Sequence, residues 1–317
     1  MKIDLPKNTK LYYDSVNNKY IFSYLGTDYV LDDISKVDTN NMLKLLNSDC
    51  LVNATNTLYE GFKELHHHDF YEILYIKKGN FIFKVDEQIY NVSPGDVLLI
   101  SPLTLHVLTQ DQNVDAQRIV INVTEKYINS ISSEKSNLLN VFTNAIANKN
   151  YRIHLSNESR KKLDSYIDVI LNTQTSDKFG DDILFKIKFA QLLLLLNDHQ
   201  EEVLPTDLIN QNKIVSDCVA YITDNLQNQI SIEDISLSLN VSPSTISHTF
   251  KEQTGMSIYR FITKKRMILA KKLIRENFSL KNIYQLCGFN DYTSFFRCFK
   301  KEFNTTPKDF KNAPQSN

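Results

Sequence analysis

The hydrophobic pattern near the C-terminus predicts two pairs of short helices joined by one longer helix. Residues 232–239 carry apolar side chains at helical spacing, and Ser242 with the proline after it predicts a turn and a helix restart. In the second pair, Gly288 suits a left-handed turn, and Asn290 is placed to cap the helix that follows. We therefore expect helix-turn-helix units at about 230–252 and about 280–303, with a linker helix over residues 257–276.

One face of the second helix in each unit is predicted to meet DNA. Phe295 and Phe299 stand four residues apart and must point inward together, and Ile246 and Phe250 do the same in the first unit. Residues 242–311 carry fourteen Lys and Arg against five Asp and Glu, although the whole chain has a net charge of −1. Such an asymmetry is expected of phosphate binding. The predicted DNA-binding residues are Ser242, Ser244, Ser247, His248, Lys251, Tyr292, Thr293, Ser294, Arg297, Lys300 and Lys301.

The linker helix has the length needed to hold both units on one DNA duplex. At ~1.5 Å per residue it spans about 30 Å, close to the ~34–36 Å between successive major grooves on one face of DNA. Arg266 lies on its apolar stripe, so we expect a buried pairing that fixes the two units. The sequence does not identify the partner, and Glu233 and Asp234 are candidates. The predicted stripe is Tyr259, Ile262, Leu269, Ala270 and Leu273.

Residues 209–311 resemble the DNA-binding module of the AraC/XylS family of bacterial transcription regulators. Departures from the family pattern are Ser236 and Tyr284, where Ala is usual, and Asn304, where Gly is usual. The resemblance implies a regulator that binds double-stranded promoter DNA, with RNA polymerase as a further partner. It rests on Ser242-Pro243-Ser244, Phe250-Lys251, Gly255, Tyr259, Arg266, Ala270, Gly288-Phe289, Phe295, Arg297, Phe299-Lys300-Lys301 and Thr306-Pro307.

Short apolar runs between polar turns predict strands over most of the N-terminal region. A turn at Ser93-Pro94-Gly95-Asp96 and close hairpin spacing fit a double-sheet barrel. A short helix is expected at about 40–46. The predicted strands cover residues 20–25, 27–31, 71–76, 81–85, 88–92, 96–100 and 116–123.

This region resembles a cupin domain, through His66-His67-His68-Asp69-Phe70-Tyr71-Glu72, Gly79, Pro94-Gly95-Asp96, Pro102 and His106. Cupin metal sites use two His, one Glu and a later His, and His66, His68, Glu72 and His106 stand at the matching places. These four residues are candidate metal ligands. The favoured interpretation is that they contact a small-molecule effector without metal, as the resemblance to AraC-family sensors implies. A third alternative is that the imidazoles, His67 above all, face solvent.

Two helices are predicted after the barrel. Leu163, Ile167 and Ile170 mark one amphipathic helix. In the next, residues 181–198, the leucines at 192–196 make the last turns apolar nearly all round, so cover on two sides is required. We favour homodimerisation there, with burial inside the chain as the alternative.

Composition sets the cellular context. Four cysteines without metal or redox spacing fit a reduced cytosol, and the sequence shows neither an apolar signal region nor a run of the ~20 apolar residues that a membrane helix needs. A cytoplasmic location with no membrane partner follows.

The sequence as a whole predicts an α+β multidomain chain. A cupin-like ligand-sensing β-barrel is followed by helices and by an all-α double helix-turn-helix. We expect a transcription regulator that senses a small metabolite, with carbohydrate as one class, and that has neither a cofactor nor an enzymatic activity. The alternative is a metal-dependent cupin enzyme, or a metal-binding sensor, fused to a DNA module. The predicted domains are a sensor (1–155), a helical dimerisation region (156–200), a linker (201–208) and the DNA-binding domain (209–317).

Overall fold

The computed structural model describes residues 10–14, 19–24, 27–31, 49–55, 65–68, 70–86, 88–110, 116–199, 213–303 and 305–312. The predicted helix at 40–46 and the predicted linker at 201–208 lie outside the described residues. The chain forms two compact units, one mainly from residues up to 208 and one mainly from residues 209–317. Each is described by itself.

The first unit contains three antiparallel sheets. Their strand orders are β1-β2-β3, β11-β8-β5-β10-β4 and β7-β6-β9. The strands are β1 (Lys10–Asp14), β2 (Lys19–Tyr24), β3 (Thr27–Leu31), β4 (Cys50–Thr55), β5 (Tyr71–Lys78), β6 (Phe81–Val85), β7 (Gln88–Val92), β8 (Asp96–Ile100), β9 (His106–Gln110), β10 (Gln117–Val123) and β11 (Arg152–His154).

The five-stranded sheet is covered on both faces. All five residues of β8 are buried, and so are residues 72–76 of β5. Tyr71 packs on Phe142 at 4.6 Å between ring centroids, so the Tyr71 face meets helices, and the neighbouring Glu72 points to the opposite face. On that side Glu72 meets His106 of β9. The predicted double-sheet arrangement is therefore confirmed. Strands β9 and β11 were not predicted, because β9 has only two apolar residues, Val107 and Leu108, and β11 has only Ile153, which is too few for a hydrophobic pattern.

The described part of the first unit has two helices between β10 and β11 and two more after β11. Thr124 and Ser156 cap the first and third through their side chains, and Gly180, with φ of 88°, precedes the fourth. Leu163, Ile167 and Ile170 are buried as the amphipathic pattern predicts. The helices are α1 (Glu125–Ile131), α2 (Asn140–Ala147), α3 (Asn157–Thr173) and α4 (Asp181–Asp198).

A buried carboxylate ties the end of the barrel to α3. Asp96 is fully buried and accepts hydrogen bonds from the Ser93 backbone and from His154 Nδ1, each at 2.7 Å. His154 Nε2 in turn accepts from Arg160 of α3 at 2.9 Å. Glycine is favoured at position 95 because its φ is +100°, and a Cβ atom there would also displace the Arg160 guanidinium. The Pro-Gly-Asp turn thus serves packing.

The leucine-rich helix α4 is covered from within its own chain. Leu192, Leu193 and Leu196 are fully buried in the core of the first unit. The expectation that these leucines need a second subunit is therefore wrong, because α3 and α2 pack against α4 within the same chain. Large apolar side chains nevertheless stay exposed on this segment: Phe179, Ile183, Leu184, Ile187 and Leu194.

The second unit is helical among its described residues. Its helices are α5 (Lys213–Asp224), α6 (Ile232–Leu239), α7 (Pro243–Thr254), α8 (Ile258–Arg275), α9 (Ile283–Leu286), α10 (Tyr292–Phe303) and α11 (Pro307–Asn312). The helices α6–α7 and α9–α10 are the two predicted helix-turn-helix units, and α8 is the linker helix.

Helix α8 packs on both helix-turn-helix units. Phe261 contacts Phe250 of the first helix-turn-helix unit edge to face, with 5.3 Å between ring centroids. Met267, Ala270 and Ile274 join the core of the second helix-turn-helix unit. From the predicted stripe, Ile262 and Ala270 are buried, and Leu269 and Leu273 are half-buried. Tyr259 was wrongly placed, because it is 58% exposed. The buried stripe starts instead at Ile258.

The cap of α10 also differs from the prediction. Asp291, and not Asn290, accepts a hydrogen bond from the Ser294 backbone at 2.7 Å. No helix in the described part of the chain is both long and apolar enough to cross a membrane.

Candidate functional site

Three buried side chains meet between the facing sheets of the first unit. Nε2 of His68 lies 3.3 Å from Oε2 of Glu72, and Nε2 of His106 lies 3.2 Å from the same oxygen. Backbone pairing sets this geometry, because His66 and His106 exchange hydrogen bonds of 3.0 and 2.9 Å and so bring the segment before β5 beside β9. The predicted residues His68, Glu72 and His106 are therefore brought together.

The outer nitrogens of the two imidazoles are held by backbone carbonyls. His68 Nδ1 donates to the Phe70 carbonyl and His106 Nδ1 to the Thr104 carbonyl, both at 2.9 Å. A carbonyl only accepts, so each Nδ1 carries the proton. The Nε2 atoms are the variable positions, and both point at Glu72.

The charge states of this cluster depend on one another. Burial raises the pKa of the Glu72 carboxyl, but hydrogen bonds and charge from His106 and His68 outweigh burial and hold that pKa below its usual range. Burial lowers the pKa of His68, which Glu72 opposes in part. An ionised Glu72 therefore needs positive charge or donors on its imidazole neighbours.

Other side chains complete the walls of the site. The His66 ring lies 4.3 Å from the His106 ring and is half-buried, so His66 borders the cluster, and His67 is half-buried beside it. Phe70 stacks on His68 with ring centroids 3.9 Å apart. Sequence reasoning missed Phe70, since an aromatic residue before a strand gives no signal that separates a pocket wall from core.

The predicted DNA-binding residues lie on the surface of the C-terminal unit, which is formed mainly by residues 209–317. All are exposed except Ser294, which is half-buried. Three of them use their hydroxyls within their own helices. Ser242 caps α7, Ser247 donates to the Pro243 carbonyl, and Ser294 donates to Asp291. The other eight predicted residues, all of them exposed, are Ser244, His248, Lys251, Tyr292, Thr293, Arg297, Lys300 and Lys301.

Aromatic side chains support the start of α10. Tyr292 is 43% exposed and packs between Tyr284 at 6.3 Å and Phe296 at 6.0 Å. Tyr284, which stands where Ala is usual, is therefore accommodated beside Tyr292 at the start of α10. The sequence flagged this residue but did not connect it with Tyr292.

Arg266 binds backbone and not a carboxylate. Its guanidinium donates to the carbonyls of Leu226 at 3.1 Å and Asn228 at 2.7 Å. The expectation of Glu233 or Asp234 as the partner is wrong, because both carboxylates belong to the exposed start of α6, where Asp234 closes a capping box with Ser231.

Comparison with protein-family models matches both units. A model described as an AraC-like ligand binding domain matches residues 55–193, and a helix-turn-helix domain model matches residues 235–313. Together the two matches span more than half of the chain.

Curated relatives match along most of the chain. The HTH-type transcriptional activator RhaS of Escherichia coli O81 (strain ED1a) is 24% identical over 254 residues, covering 78% of this chain and 87% of that protein. RhaS of Klebsiella pneumoniae (strain 342) is 24% identical over 250 residues, with the same shares covered.

Solved structures also match. Fatty-acid-bound ToxT from Vibrio cholerae strain SCE256 is 18% identical, with a TM-score of 0.36, covering 84% of this chain and 95% of that one. The DNA-bound AdpA DNA-binding domain is 20% identical, with a TM-score of 0.30, over 31% of this chain and 90% of that one. On the family models in both units, this chain belongs to the AraC family of DNA-binding transcription regulators that carry a ligand-binding domain.

Proposed function

We propose that this regulator activates transcription when a small polar metabolite, of the carbohydrate class, binds beside His66, His68, Glu72 and His106. The observation that carries the proposal is the buried convergence of His68, Glu72 and His106 on one point. A site of this kind offers a carboxylate acceptor and imidazole groups that either donate or accept, which suits hydroxyl groups inside an apolar wall. Activation as the sign of control is supported by the RhaS relatives, which are named transcriptional activators.

The effector proposal is tested by ligand-dependent stabilisation. A panel of sugars and related metabolites is screened for a rise in the melting temperature of the full chain, which binding to the native state must produce. Glu72→Gln should abolish that rise and the transcriptional response while basal DNA binding stays. Glu134→Gln, at an exposed glutamate outside the site, is the control and should respond like the parent. An unchanged response in Glu72→Gln, His68→Ala and His106→Ala together would move the effector elsewhere.

We propose that both helix-turn-helix units of one subunit bind successive major grooves. Helix α8 has 18 residues and is about 27 Å long at ~1.5 Å per residue. This length is comparable to the ~34–36 Å between successive major grooves on one face of DNA. Footprinting on a site selected from random DNA should show two protected half-sites about one turn apart on one face. Protection of a single groove per subunit would contradict the arrangement.

We propose a homodimer that pairs α4 with the same helix of a second copy. Ile183, Ile187, Ala190 and Leu194 form a stripe with spacings of four, three and four residues, and Ala190 is half-buried while the other three are exposed. This spacing is the same in both directions, so an antiparallel two-fold pair brings Ile183 against Leu194 and Ile187 against Ala190. Clustered exposed apolar side chains of this kind mark interaction sites.

Light scattering at micromolar concentration tests the dimer. Ile187→Glu should yield a folded monomer, whereas Lys178→Glu, exposed outside the stripe, should stay dimeric. Leu193→Glu should unfold the chain instead, because Leu193 is core. A monomeric parent protein would end the proposal.

The remaining partners follow from regulation. Because an activator acts through RNA polymerase, we propose that this chain contacts RNA polymerase. We also propose that it is located in the cytoplasm, beside the DNA, and that it regulates transcription without catalysing a reaction.

A second candidate function, a metal-binding sensor, is favoured by the protonation pattern of the cluster. Both Nδ1 atoms are committed as donors to carbonyls, the arrangement that usually orients metal-binding imidazoles, so each ring in its neutral form aims an Nε2 lone pair at Glu72. A divalent transition metal held by His68, Glu72 and His106 would relieve that repulsion. Elemental analysis of purified protein separates the candidates. One equivalent of zinc, manganese or iron that disappears in His106→Ala supports the metal, and a metal-free chain that responds to a metabolite supports the effector alone.

A further inference from the structure

In the described chain, the segment between α5 and the first helix-turn-helix unit contacts the turn of the second helix-turn-helix unit directly. The contact joins the chain after α5, residues 226–229, to the turn at Gly288 and Phe289 in the second unit. Three features converge on it: a guanidinium, a glycine with no room for a side chain, and a side-chain amide.

Arg266 is the centre of this contact. From α8 it donates to the carbonyls of Leu226 and Asn228, at 3.1 and 2.7 Å. The same guanidinium lies 5.6 Å from the centre of the Phe289 ring, a cation–π distance. One side chain therefore binds the backbone just before the first helix-turn-helix unit and contacts an aromatic ring of the second helix-turn-helix unit.

Gly288 makes the close approach possible. Its φ is +77°, and a Cβ atom there would lie 2.5 Å from the Leu226 carbonyl oxygen and 2.8 Å from Arg266 Nε. The Gly288 carbonyl accepts a hydrogen bond from Gln229 Nε2 at 3.2 Å. The turn of the second helix-turn-helix unit thus packs directly on the segment that follows α5, with no room for a side chain between them.

This contact lies where small changes are amplified. Arg266 stands between Phe261, which packs on the first unit, and Met267, which packs on the second. Both α7 and α10 pack on α8, so a rotation at this point alters their separation and angle.

We propose that Arg266 is a positioning residue that sets the spacing between the two DNA half-sites, and that the chain discriminates operators by spacing through this clamp. The inference rests on the proposal that both units bind DNA. Arginine is required because a planar guanidinium can donate to two carbonyls and stack on a ring at once, which the single ammonium of lysine does not reproduce.

Binding to spacing variants tests the clamp. A site selected from random DNA with the full chain is resynthesised with one or two base pairs inserted or removed between its halves, and as a probe with one half only. The parent should bind the original spacing at least tenfold more tightly than the altered ones. Arg266→Gln should reduce that ratio to about threefold or less, while its affinity for the single-half probe stays within about twofold.

Two further variants keep the test decisive. Lys272→Gln removes the same charge from the exposed side of α8 and should keep the parent's spacing ratio. Gln229→Ala removes the amide contact without touching α8, and it should lower the ratio to a smaller extent. It therefore reports on the clamp even if Arg266→Gln fails to fold, which a melting curve detects.

The outcomes separate the two ideas. A parent chain that accepts every spacing equally overturns both the clamp and the two-groove proposal. A parent that demands one spacing, together with folded Arg266 and Gln229 variants that keep this demand, overturns the clamp alone. Equal loss on single-half and full sites in Arg266→Gln would make Arg266 a direct DNA contact and would also overturn it.

Discussion

The two helix-turn-helix units reach the same arrangement through different physics. The first begins with a capping box, in which Ser231 and Asp234 satisfy each other's backbone groups, and α6 runs for eight residues. In the second, α9 has four residues, and in the described chain Asn282 makes no side-chain capping bond to it. A cluster of aromatic rings, mostly edge to face or tilted, and Arg266 hold this unit instead. The first helix-turn-helix unit is therefore encoded locally, whereas the second is held by tertiary packing.

The aromatic core makes the second unit sensitive to single truncations. Phe299 is fully buried and meets the rings of Phe295, Phe303 and Phe310 at 4.7 to 5.8 Å. Phe299→Ala should lower the opening free energy of α10 by ~3–5 kcal/mol, because a ring-sized cavity is left. Native-state hydrogen exchange of the full chain measures this, and α6 amides serve as the internal control. A loss below ~1 kcal/mol would show that packing is not what holds the second unit.

Sequence reading should depend on α10. Arg297 is exposed on its outer face. If it binds a guanine through two hydrogen bonds, Arg297→Ala should cost ~1–3 kcal/mol and relax specificity in one half-site. Competition binding with single-base variants of the selected site measures the effect. An equal loss on specific and random DNA would reduce Arg297 to a phosphate contact.

The local encoding of the first unit predicts a smaller loss at its cap. Ser231→Ala should lower the opening free energy of α6 by ~0.5–2 kcal/mol, since the Asp234 amide loses its acceptor. Ser238→Ala, exposed on the same helix, should stay within ~0.5 kcal/mol. Hydrogen exchange at α6 compares the two, and equal effects would remove the distinction drawn between the units.

The smallest expected effect is electrostatic. Lys301 is exposed in the last turn of α10. Lys301→Ala should weaken binding to all sequences alike and reduce the slope of log affinity against log salt by about one unit. Titrations at several salt concentrations give the slope, and an unchanged slope would place Lys301 away from the phosphates.

The N-terminal unit shows the same division between pattern and packing. Strands with alternating or continuous apolar residues, such as β5, β6 and β8, follow from the sequence pattern. The meeting of His68, Glu72 and His106 was expected only from the resemblance to a cupin domain. Strand β11 does not follow from the sequence pattern, since three residues carry no pattern and are held by pairing with β8. Phe70 as a wall of the site was equally hidden, because its stacking on His68 depends on the path of the chain.

Periodicity and local charge are properties of neighbouring residues. They therefore sufficed to predict the two helix-turn-helix units, their periodic helices, and the outward position of Arg297 and Lys301. Tertiary structure alone decided that Leu193 and Leu196 are core within one chain and that Arg266 binds the Leu226 and Asn228 carbonyls. A leucine stripe has the same appearance whichever surface covers it, and a carbonyl acceptor exists at every residue. Such choices depend on which distant segments meet, and that is fixed only when the whole core packs.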